Sequence, residues 1–388
     1  MAGALRLFVA GVWLVHGVYN KLLGGSPRHL AIIQLVPGLA GAGGTRALVA
    51  VGVFEAGIAA WVLSRRAPRA CAAIQTIALL TMNLVELRYA RPLLLWPAGL
   101  LPVNLLFLAA AWWAADPALP RKIRARLQRH PFSIDAFFDD AITLTYGLPA
   151  AVLRPLLPPG LELETVGDDG FVAVALVQTH DVRPAGWPRA LGQDFFLAGY
   201  RVFTRLRTGG RSLRGLQILR SDADRARMVA GGNLLTHYNY HRCRARLEPV
   251  AGGLRTVVTT PDGWGDLDVL VRRPEAGTAP IGRYTLPPSS PFVSVRDARR
   301  FAGPLPFTFD YEAETHSIVA IEARRTNWMP VPVDVDVRRI GFFDQPAFAG
   351  CTPRLAAAFR VSHIEYRWKR GVLCKGAGGE HPPTGYAF

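Results

Sequence analysis

Four apolar runs in the first 115 residues constrain this chain more than any other feature. They contain few charged residues and cover residues 7–23, 47–63, 70–87 and 93–115. Each run is about as long as the ~17–25 residues of a helix that spans a bilayer. A soluble protein would not place four such runs in series, because it could not bury all of their apolar faces. The sequence therefore predicts a membrane α-helical bundle of four transmembrane helices, residues 1–115.

The positive charge of the chain is concentrated near these runs. Residues 1–130 hold 14 Lys/Arg against 3 Asp/Glu, whereas residues 131–388 hold 31 against 26. Anionic lipid attracts basic residues beside a membrane, so we expect the lipid bilayer, and no nucleic acid, as their partner. Arginine outnumbers lysine 41 to 4, a bias typical of a GC-rich bacterial genome.

The basic residues also predict an orientation. Four spans place both ends of the bundle on one side, which carries nine basic residues against five on the other. The positive-inside rule then places the N- and C-termini in the cytoplasm. We expect a multi-pass protein of a bacterial inner (plasma) membrane. The start, Arg6 followed by an apolar run, has no small-residue cleavage site after it, so we interpret it as an uncleaved first helix.

Several polar side chains lie inside the predicted spans, and they are His16, Asn20, Glu55, Asn83, Glu86 and Asn104. His16 and Asn20 are four residues apart, so they share a helix face. Two interpretations stay open for the set. The side chains could hydrogen-bond between helices and fix the packing, or they could form a polar site or pathway inside the bundle. Glu55 is the strongest member, because it lies too near mid-span to reach water.

Three short motifs carry a family resemblance in this half. They are His16–Lys21 at the end of the first span, Phe54–Gly57 in the second and Asn83–Leu87 in the third. Over residues 1–115 the chain resembles the DoxX-like family of small four-helix membrane proteins. Some members of that family resemble subunits of quinone-linked oxidoreductases. The resemblance therefore implies quinone as the cofactor to consider and a redox protein as a partner, although the chain supplies no redox centre of its own.

The pattern changes after a basic juxtamembrane linker, residues 116–134, which we expect as a surface helix or a solvated segment. Short alternating runs separated by Gly, Pro and Asp then follow, at 171–177, 200–206, 237–247, 256–260, 317–324, 331–340 and 361–373. Their regular spacing predicts a largely antiparallel β barrel or sandwich. Helices are expected at 150–157 and 222–235, the second with Asp222 as its N-cap. Residues 376–388 are predicted as a flexible tail.

Polar residues on two of these runs are candidates for a ligand pocket. Arg201 and Arg205 share a strand face and could receive a carboxylate or phosphate, or simply face solvent. His237 and His241 would lie ~13 Å apart on a strand, too far for one zinc ion, so no metal site is expected. We interpret His237, Tyr238, Tyr240 and His241 as pocket-lining residues.

Common catalytic motifs are absent from the sequence. It has no Gly-x-Ser-x-Gly elbow, Walker loop or dinucleotide fingerprint, so hydrolase, NTPase and dehydrogenase classes have no support. The four cysteines are scattered without a Cys-x-x-Cys pair, which favours neither a disulfide framework nor a thiolate metal site.

A second resemblance rests on the Leu153–Glu162 stretch, Gly199–Val202, the Gly210–Gly215 hairpin and Ser221–Asp224. Over residues 135–375 the chain resembles the YqjF-like family, domain of unknown function 2071. That family is similar in fold to acetoacetate decarboxylase. The resemblance therefore implies a soluble, mainly-β α+β domain, an acetoacetate decarboxylase-like β barrel that encloses a small polar pocket.

The decarboxylase chemistry of that fold does not transfer to this chain. It needs a lysine whose amine forms a Schiff base with a β-keto acid. No lysine lies between Lys122 and Lys369, and Gly231–His237 stands where the nucleophile is expected. Leu197 replaces an expected acidic residue before the strand arginine. Acetoacetate decarboxylase activity is therefore not expected.

Three functional hypotheses remain. In the first, the cytosolic barrel binds a small polar or acidic ligand without Schiff-base chemistry, and Arg201 pairs with an anionic group. In the second, the chain is a component of a quinone-linked membrane oxidoreductase, with the quinone near Glu55, His16 and Glu86. In the third, it is a membrane scaffold without a ligand.

Overall fold

The computed structural model describes residues 2–272, 285–303, 305–326 and 328–374. The chain divides into two compact units, Met1–Ile123 and Arg124–Phe388. The first unit is helical and the second is mainly β. The tail predicted at 376–388 lies outside the described residues.

The helices of the first unit follow the apolar runs. They are α1 (Ala2–Leu14), which continues as a π-helical segment (Val15–Leu22), α2 (Pro27–Gln34), α3 (Ala42–Ser64), α4 (Pro68–Tyr89), α5 (Pro97–Ala115) and α6 (Leu119–Leu127), whose last residues belong to the second unit. Three helices, α3 to α5, are long and apolar enough to cross a membrane. The first span and α2 form a pair bent by 78° that counts as a fourth. The predicted count of four agrees roughly with this arrangement.

Local chemistry explains the boundaries of the long helices. Pro68 and Pro97 stand in the first turns of α4 and α5, where the missing N–H would have no intrahelical acceptor. Between α3 and α4 the chain reverses through Arg65 and Ala67, both in the left-handed region. Large apolar side chains such as that of Leu106 stay exposed, as a lipid-facing surface requires.

Small residues bring the first span close to α3. A Cβ atom on Gly17 would lie 2.8 Å from the carbonyl oxygen of Gly52, so a larger residue would separate the two helices. Contacts of this kind between small residues are typical of membrane helices, where van der Waals packing replaces the hydrophobic effect. Val9, Trp13 and Ile58 are buried beside this contact in the core of the unit.

The second unit contains sixteen strands among its described residues. They are β1 (Ile134–Pro149), β2 (Leu161–Leu163), β3 (Thr165–Val166), β4 (Asp169–Pro184), β5 (Gln193–Thr208), β6 (Arg211–Ala223), β7 (Tyr240–Arg242), β8 (Arg244–Val250), β9 (Gly253–Thr259), β10 (Leu267–Arg272), β11 (Phe307–Glu312), β12 (Ser317–Arg325), β13 (Val331–Pro332), β14 (Val335–Ile340), β15 (Arg354–Trp368) and β16 (Val372–Cys374). Three short helices accompany them, α7 (Ala150–Leu153), α8 (Ala226–Leu235) and α9 (Val295–Ala302).

Seven of these strands close into a barrel. The order is β15–β1–β4–β5–β6–β11–β12, and β12 pairs with β15 again through Ala323 and Trp368. Neighbouring strands are antiparallel except for the parallel pair β6–β11. Closure removes exposed sheet edges. The long strands curve around the barrel with the help of register shifts such as the one between Thr145 and Tyr146, since an irregularity of this type increases the local twist.

The two faces of the barrel strands have different neighbours. In β4, Val172, Val174 and Leu176 point outward and pack against residues of a second sheet, β14–β10–β9–β8, including Val258 and Val269. The alternate residues of β4 point into the barrel. Because both faces are covered, β4 reads as a continuous apolar run. The prediction of a mainly β rear domain is confirmed.

Some predicted boundaries are wrong. Asp222 is not an N-cap, since β6 continues to Ala223 and α8 begins at Ala226 after Arg225. The side chain of Asp222 is buried and accepts hydrogen bonds from Arg220, which favours the extended conformation. The runs at 237–247, 331–340 and 361–373 are each divided between strands, and the helix predicted at 150–157 ends as a 3₁₀ turn.

Candidate functional site

The barrel encloses a cavity of about 330 Å³. Its lining includes inward-facing residues of β1, β4, β5, β6 and β15, together with one face of α8. Three of these residues are alanines, Ala141, Ala173 and Ala175. Small inward side chains leave space that larger ones would fill in a barrel of this size. The volume is within the usual range for a pocket that holds a small molecule.

Arg201 reaches the cavity from β5. Gly199 lies two residues earlier on the same strand face, and a Cβ atom there would be 3.0 Å from Arg201 Nη2. The guanidinium therefore lies over Gly199, and the absence of a side chain at 199 makes room for it. Arg201 Nε is buried and has no hydrogen-bond partner.

A second arginine is held between aromatic rings. Arg325, at the end of β12, donates a hydrogen bond to the backbone carbonyl of Leu305. Its guanidinium carbon lies 5.0 Å from the ring centroid of Trp328 and 5.1 Å from that of Tyr366. Cation–π contacts at these distances favour the charged guanidinium in a partly desolvated position.

The rings near Arg325 belong to an aromatic wall of the cavity. Tyr366 stacks on Phe138 with centroids 4.7 Å apart and meets Trp368 at 4.4 Å. Tyr366 and Trp368 are two residues apart on β15 and so point to the same side of the strand. This wall offers an apolar surface to the carbon skeleton of a ligand.

Residues with hydroxyl groups also line the cavity. Tyr238 and Thr308 share a hydrogen bond of 2.7 Å between their oxygens. Burial raises the pKa values of Tyr238 and Tyr240, although the nearby Arg201 opposes the rise at Tyr240. Both phenols are therefore neutral at physiological pH and can donate hydrogen bonds.

The cavity lining is basic. It includes Arg183, Arg201, Arg227 and Arg325, and among the described residues no Asp or Glu lines it. Asp310 lies nearby, fully buried, and burial raises its pKa well above the ordinary value despite a hydrogen bond from the His237 backbone N–H. A protonated Asp310 adds no negative charge to this region.

Four buried polar atoms of lining residues have no hydrogen-bond partner, and they are His130 Nδ1, Thr179 Oγ1, Arg201 Nε and Trp328 Nε1. Arginine and tryptophan nitrogens can only donate. A buried donor without an acceptor costs about 1–3 kcal/mol. A ligand that carries acceptor oxygens would satisfy such donors.

Three of the six pocket residues predicted from the sequence line the cavity, and three do not. Arg201, Tyr238 and Tyr240 line the cavity, whereas Arg205, His237 and His241 are not among its lining residues. Arg205 Nε donates to Glu164 Oε1 at 2.6 Å. His241 Nε2 lies 3.0 Å from Asn239 Oδ1. His237 is half-buried beside Glu312, which binds Arg129.

Sequence reasoning missed the aromatic wall and Arg325. The period-two spacing of Tyr366 and Trp368 was a usable signal. Arg325 gave none, because it reaches the cavity where β12 pairs with β15, and Trp328 gave none, because it lies outside the strands. Lys369, the one described lysine of the second unit, donates to Glu322 at 2.8 Å and is not a lining residue. Among the described residues, no group of three or more His, Cys, Asp and Glu could hold a metal ion.

Inside the helical unit the strongest polar contact joins Lys21 and Glu55. Lys21 Nζ lies 2.8 and 2.7 Å from the two carboxylate oxygens, and both side chains are buried. Asn104 Nδ2 donates to Asn83 Oδ1 at 2.6 Å. These contacts are of the kind that joins helices.

The remaining predicted intramembrane residues are less tightly engaged. The rings of His16 and His29 lie 6.0 Å apart, and Glu86 is half-buried on α4. The backbone carbonyl of Asn20 accepts from the Ser26 N–H at 3.3 Å. Sequence reasoning missed two further links, Trp13 to Gln75 and Trp112 to Thr76.

Solved structures with similarity to this chain include three enzymes at low identity. Acetoacetate decarboxylase from Legionella pneumophila subsp. pneumophila str. Philadelphia 1 is 11% identical, with 64% of this chain and 89% of that chain covered and a TM-score of 0.43. The enduracididine biosynthesis enzyme MppR, complexed with pyruvate, is 12% identical, with 64% of this chain and 92% of that chain covered and a TM-score of 0.41. An acetoacetate decarboxylase-like enzyme from Sphingomonas wittichii RW1 is 16% identical, with 62% of this chain and 92% of that chain covered and a TM-score of 0.38.

Family models match both parts of the sequence. Residues 10–112 match the DoxX-like family. Residues 136–289 match domain of unknown function 2071, described as an uncharacterized conserved protein. No protein with a curated function matches this chain. Both resemblances seen in the sequence are confirmed: one segment of the chain is similar to the DoxX-like family and a later segment is similar to domain of unknown function 2071.

Proposed function

We propose that the barrel binds a small organic acid in its cavity, with Arg201 as the partner of the carboxylate. The observation that carries this proposal is a buried Arg201 Nε without an acceptor, in a cavity lined by four arginines. A carboxylate is the natural complement of a guanidinium, because it accepts two parallel hydrogen bonds.

The carbon skeleton of the acid has a complementary surface in the aromatic wall. Phe138, Tyr366 and Trp368 pack against one another and would cover an apolar or aromatic group. Trp328 Nε1, buried and without a partner, is available to an additional acceptor on the ligand. The ligand is thus expected to carry an acidic end and an apolar or aromatic body.

Binding in this cavity does not involve a Schiff base. The sequence has no lysine between Lys122 and Lys369, and the amine of Lys369 is paired with Glu322. The neutral hydroxyls of Tyr238 and Tyr240 can orient a bound acid by hydrogen bonds. We therefore place the work of the cavity in recognition of the ligand and not in covalent catalysis.

The direct test is a calorimetric titration of the full-length protein in detergent with phenylacetate, and with phenylacetamide as a neutral ligand of the same shape. Arg201→Ala is expected to weaken phenylacetate binding about ten- to hundredfold, because a hydrogen bond to a charged group contributes ~1.5–3 kcal/mol. Arg207→Ala is the matched control, since Arg207 is an exposed arginine on the same strand face. Equal affinity for the acid and the amide, or an unchanged Arg201→Ala variant, would remove carboxylate recognition from the site.

We also propose the cellular arrangement of the chain. The helical domain, residues 1–115, crosses a bacterial inner membrane, residues 116–134 follow its surface, and the barrel domain, residues 135–375, lies in the cytoplasm with both termini. The distribution of basic residues supports this orientation. Alkaline phosphatase fused to the C-terminus should be inactive and green fluorescent protein should fluoresce there; the reverse result would place the barrel outside.

A further inference from the structure

Segments of the chain that contribute lining residues to the cavity also expose a group of large apolar side chains. Phe132, Trp187, Leu191 and Leu234 are 38%, 56%, 57% and 52% exposed. Single exposed apolar residues are common, but a group of them is typical of a binding surface. We call these four residues, with the exposed arginines Arg124, Arg126, Arg189 and Arg227, the rim surface.

Hydrogen bonds bring the parts of the rim surface to one short segment, residues 128–133. Gln128 Nε2 donates to Asn233 O at 2.8 Å, and His130 N–H donates to Leu235 O at 2.9 Å. Ala185 N–H donates to Ser133 O at 2.8 Å. The end of α8 and the loop after β4 therefore flank the same stretch of chain.

The loop that carries Trp187 and Leu191 has a defined conformation. Arg183 donates to Trp187 O at 3.0 Å and to Asp181 O at 2.8 Å. A 3₁₀ turn, Arg189–Leu191, follows. The indole of Trp187 and the side chain of Leu191 are thus held outward although neither is covered by protein.

The rim surface and the cavity share residues. Phe132 and Arg227 belong to the rim surface and line the cavity, and the lining residue Leu235 is adjacent to Leu234. An occupant of the rim surface would therefore contact residues that also line the cavity.

We propose that the rim surface docks on the headgroup region of an anionic lipid bilayer. Tryptophan is enriched at membrane interfaces because its ring is apolar and its N–H is polar. Arginines near an anionic surface are attracted to it. The rim surface contains four exposed arginines, and the flanking strands carry two carboxylates, Asp181 on β4 and Asp194 on β5. The Arg189–Asp181 pair, at 3.8 Å, contributes little on its own.

Chain length favours the bilayer over any other occupant. The last apolar helix ends at Ala115, and α6 ends at Leu127. Nine helical residues span ~14 Å and three extended residues add at most ~11 Å. The rim surface is thus tethered within a few tens of ångströms of the membrane, which gives the bilayer a high effective concentration there.

Hydrogen exchange of the full-length protein in lipid nanodiscs tests this proposal. One set of discs contains phosphatidylcholine alone, and the other contains phosphatidylcholine mixed with anionic phosphatidylglycerol. Amides of residues 185–192 should exchange several-fold more slowly in the anionic discs. Residues 261–265 are the internal control, because that loop carries Trp264, also exposed at 44%, and should exchange equally in both.

Two variants sharpen the result. In the Arg189→Glu variant, the slowing of amide exchange at residues 185–192 should be reduced about fivefold or more, since the substitution replaces an attractive charge by a repulsive one. Arg207→Glu is the matched control, because Arg207 lies near the opposite end of β5, and it should leave the protection unchanged. Trp187→Ser combined with Leu191→Ser should abolish the protection with the exchange of β4 and β5 unaltered.

Three outcomes would overturn the proposal. Equal exchange of residues 185–192 in both kinds of disc would exclude an anionic bilayer as the occupant. Protection that persists in detergent and rises with protein concentration would assign the surface to a second copy of the chain. Protection that survives Arg189→Glu and the double serine variant would place its cause outside the rim surface.

Discussion

His130 occupies an unusual position at the start of the β unit. Its backbone is in the left-handed region, with φ 55°. The N–H donates to Leu235 O at 2.9 Å, and the carbonyl accepts from the Gly371 N–H at 3.0 Å. The side chain is buried, and burial lowers the pKa of His130 to about 4. The imidazole is therefore neutral at physiological pH, next to a cavity that is already basic.

His130 should make the β unit sensitive to acid. In the unfolded chain a histidine binds its proton near its ordinary pKa, about 6.5, whereas folded His130 resists protonation until about pH 4. Its contribution is therefore fully present above pH ~6.5 and is lost as the pH falls from there to ~4, by an amount on the order of 3 kcal/mol. His130→Asn, which tolerates a positive φ, should flatten this part of the stability curve.

Denaturant unfolding of the full-length protein at stepwise pH, followed by the β signal in circular dichroism, would measure the change. The matched control is His363→Asn, because His363 is exposed and has the same left-handed backbone, with φ 56°. If His130→Asn and the wild type lost stability in parallel between neutral pH and pH ~4, burial of His130 would not be the cause.

Single residues show what alternation can and cannot predict. The period of two predicts that Arg201 and Arg205 lie on one face of β5. It does not reveal that Glu164 arrives beside Arg205 through the pairing of β2 with β5. Arg205 has a structural role because a distant strand supplies its partner, whereas Arg201 Nε has no such partner. A local sequence pattern does not contain this information.

At the scale of elements, α8 forms one wall of the cavity and contains two adjacent glycines. A Cβ on Gly232 would lie 2.3 Å from the ring of Tyr240, whereas one on Gly231 would meet nothing within 4 Å. Asn233 fixes this contact, since its side chain accepts from the Tyr240 N–H and donates to the Tyr240 carbonyl, both at 2.8 Å. Substitutions at Gly231 and Gly232 can therefore be compared to test how α8 packs against Tyr240.

Alanine at these two positions should have opposite effects. Gly231→Ala should stabilise the β unit by up to about 1 kcal/mol, the difference in helix propensity. Gly232→Ala should destabilise it by about 1–3 kcal/mol, because the methyl group forces the ring of Tyr240 to move. It should also weaken phenylacetate binding, because Tyr240 lines the cavity. Thermal unfolding of both variants checks the sign; equal shifts would mean that Tyr240 does not pack on α8 as described.

The π-helical segment carries the charged contact of the helical unit. Lys21 lies on this segment and binds both oxygens of Glu55 on α3. Both side chains are buried, so removal of one partner leaves the other charge without compensation. The contact supports the interpretation of Glu55 as a packing residue, and nothing about it favours a quinone site.

A double-mutant cycle distinguishes packing from a functional pathway. Lys21→Met and Glu55→Leu should each destabilise the helical unit by about 3–5 kcal/mol, and the double variant should recover most of the loss. Thermal unfolding in detergent measures all three. Additive losses would show that the two side chains act independently. Loss of a co-purified quinone in the Glu55→Leu variant would instead support the oxidoreductase hypothesis.

Elements with a strong local pattern were predictable and their closure was not. The apolar runs predicted α3, α4 and α5, and the short runs at 171–177, 200–206 and 317–324 predicted β4, β5 and β12. The bend between the first span and α2 was missed because Pro27–Gln34 is too short and too polar to stand out. The pairing of β12 with β15, which closes the barrel, joins residues more than forty positions apart. No local turn sequence predicts such a pairing.

At the scale of the whole molecule, the chain combines a helical unit that matches a membrane-protein family with a mainly β unit that contains a cavity. Residues 10–112 and 136–289 match two different families, and each unit has its own buried core. An anchored cavity with a basic lining and an aromatic wall suits an acid with an apolar body, since such a molecule partitions near membranes. The scaffold hypothesis offers no reason for buried donors that lack partners.

The most direct measurement is mass spectrometry of the small molecules released from full-length protein purified in detergent, compared between wild type, Arg201→Ala and Arg207→Ala. The account predicts an organic acid that is retained by the wild type and by Arg207→Ala and is lost from Arg201→Ala. An acid retained equally by all three, or a neutral compound in its place, would contradict carboxylate recognition by Arg201.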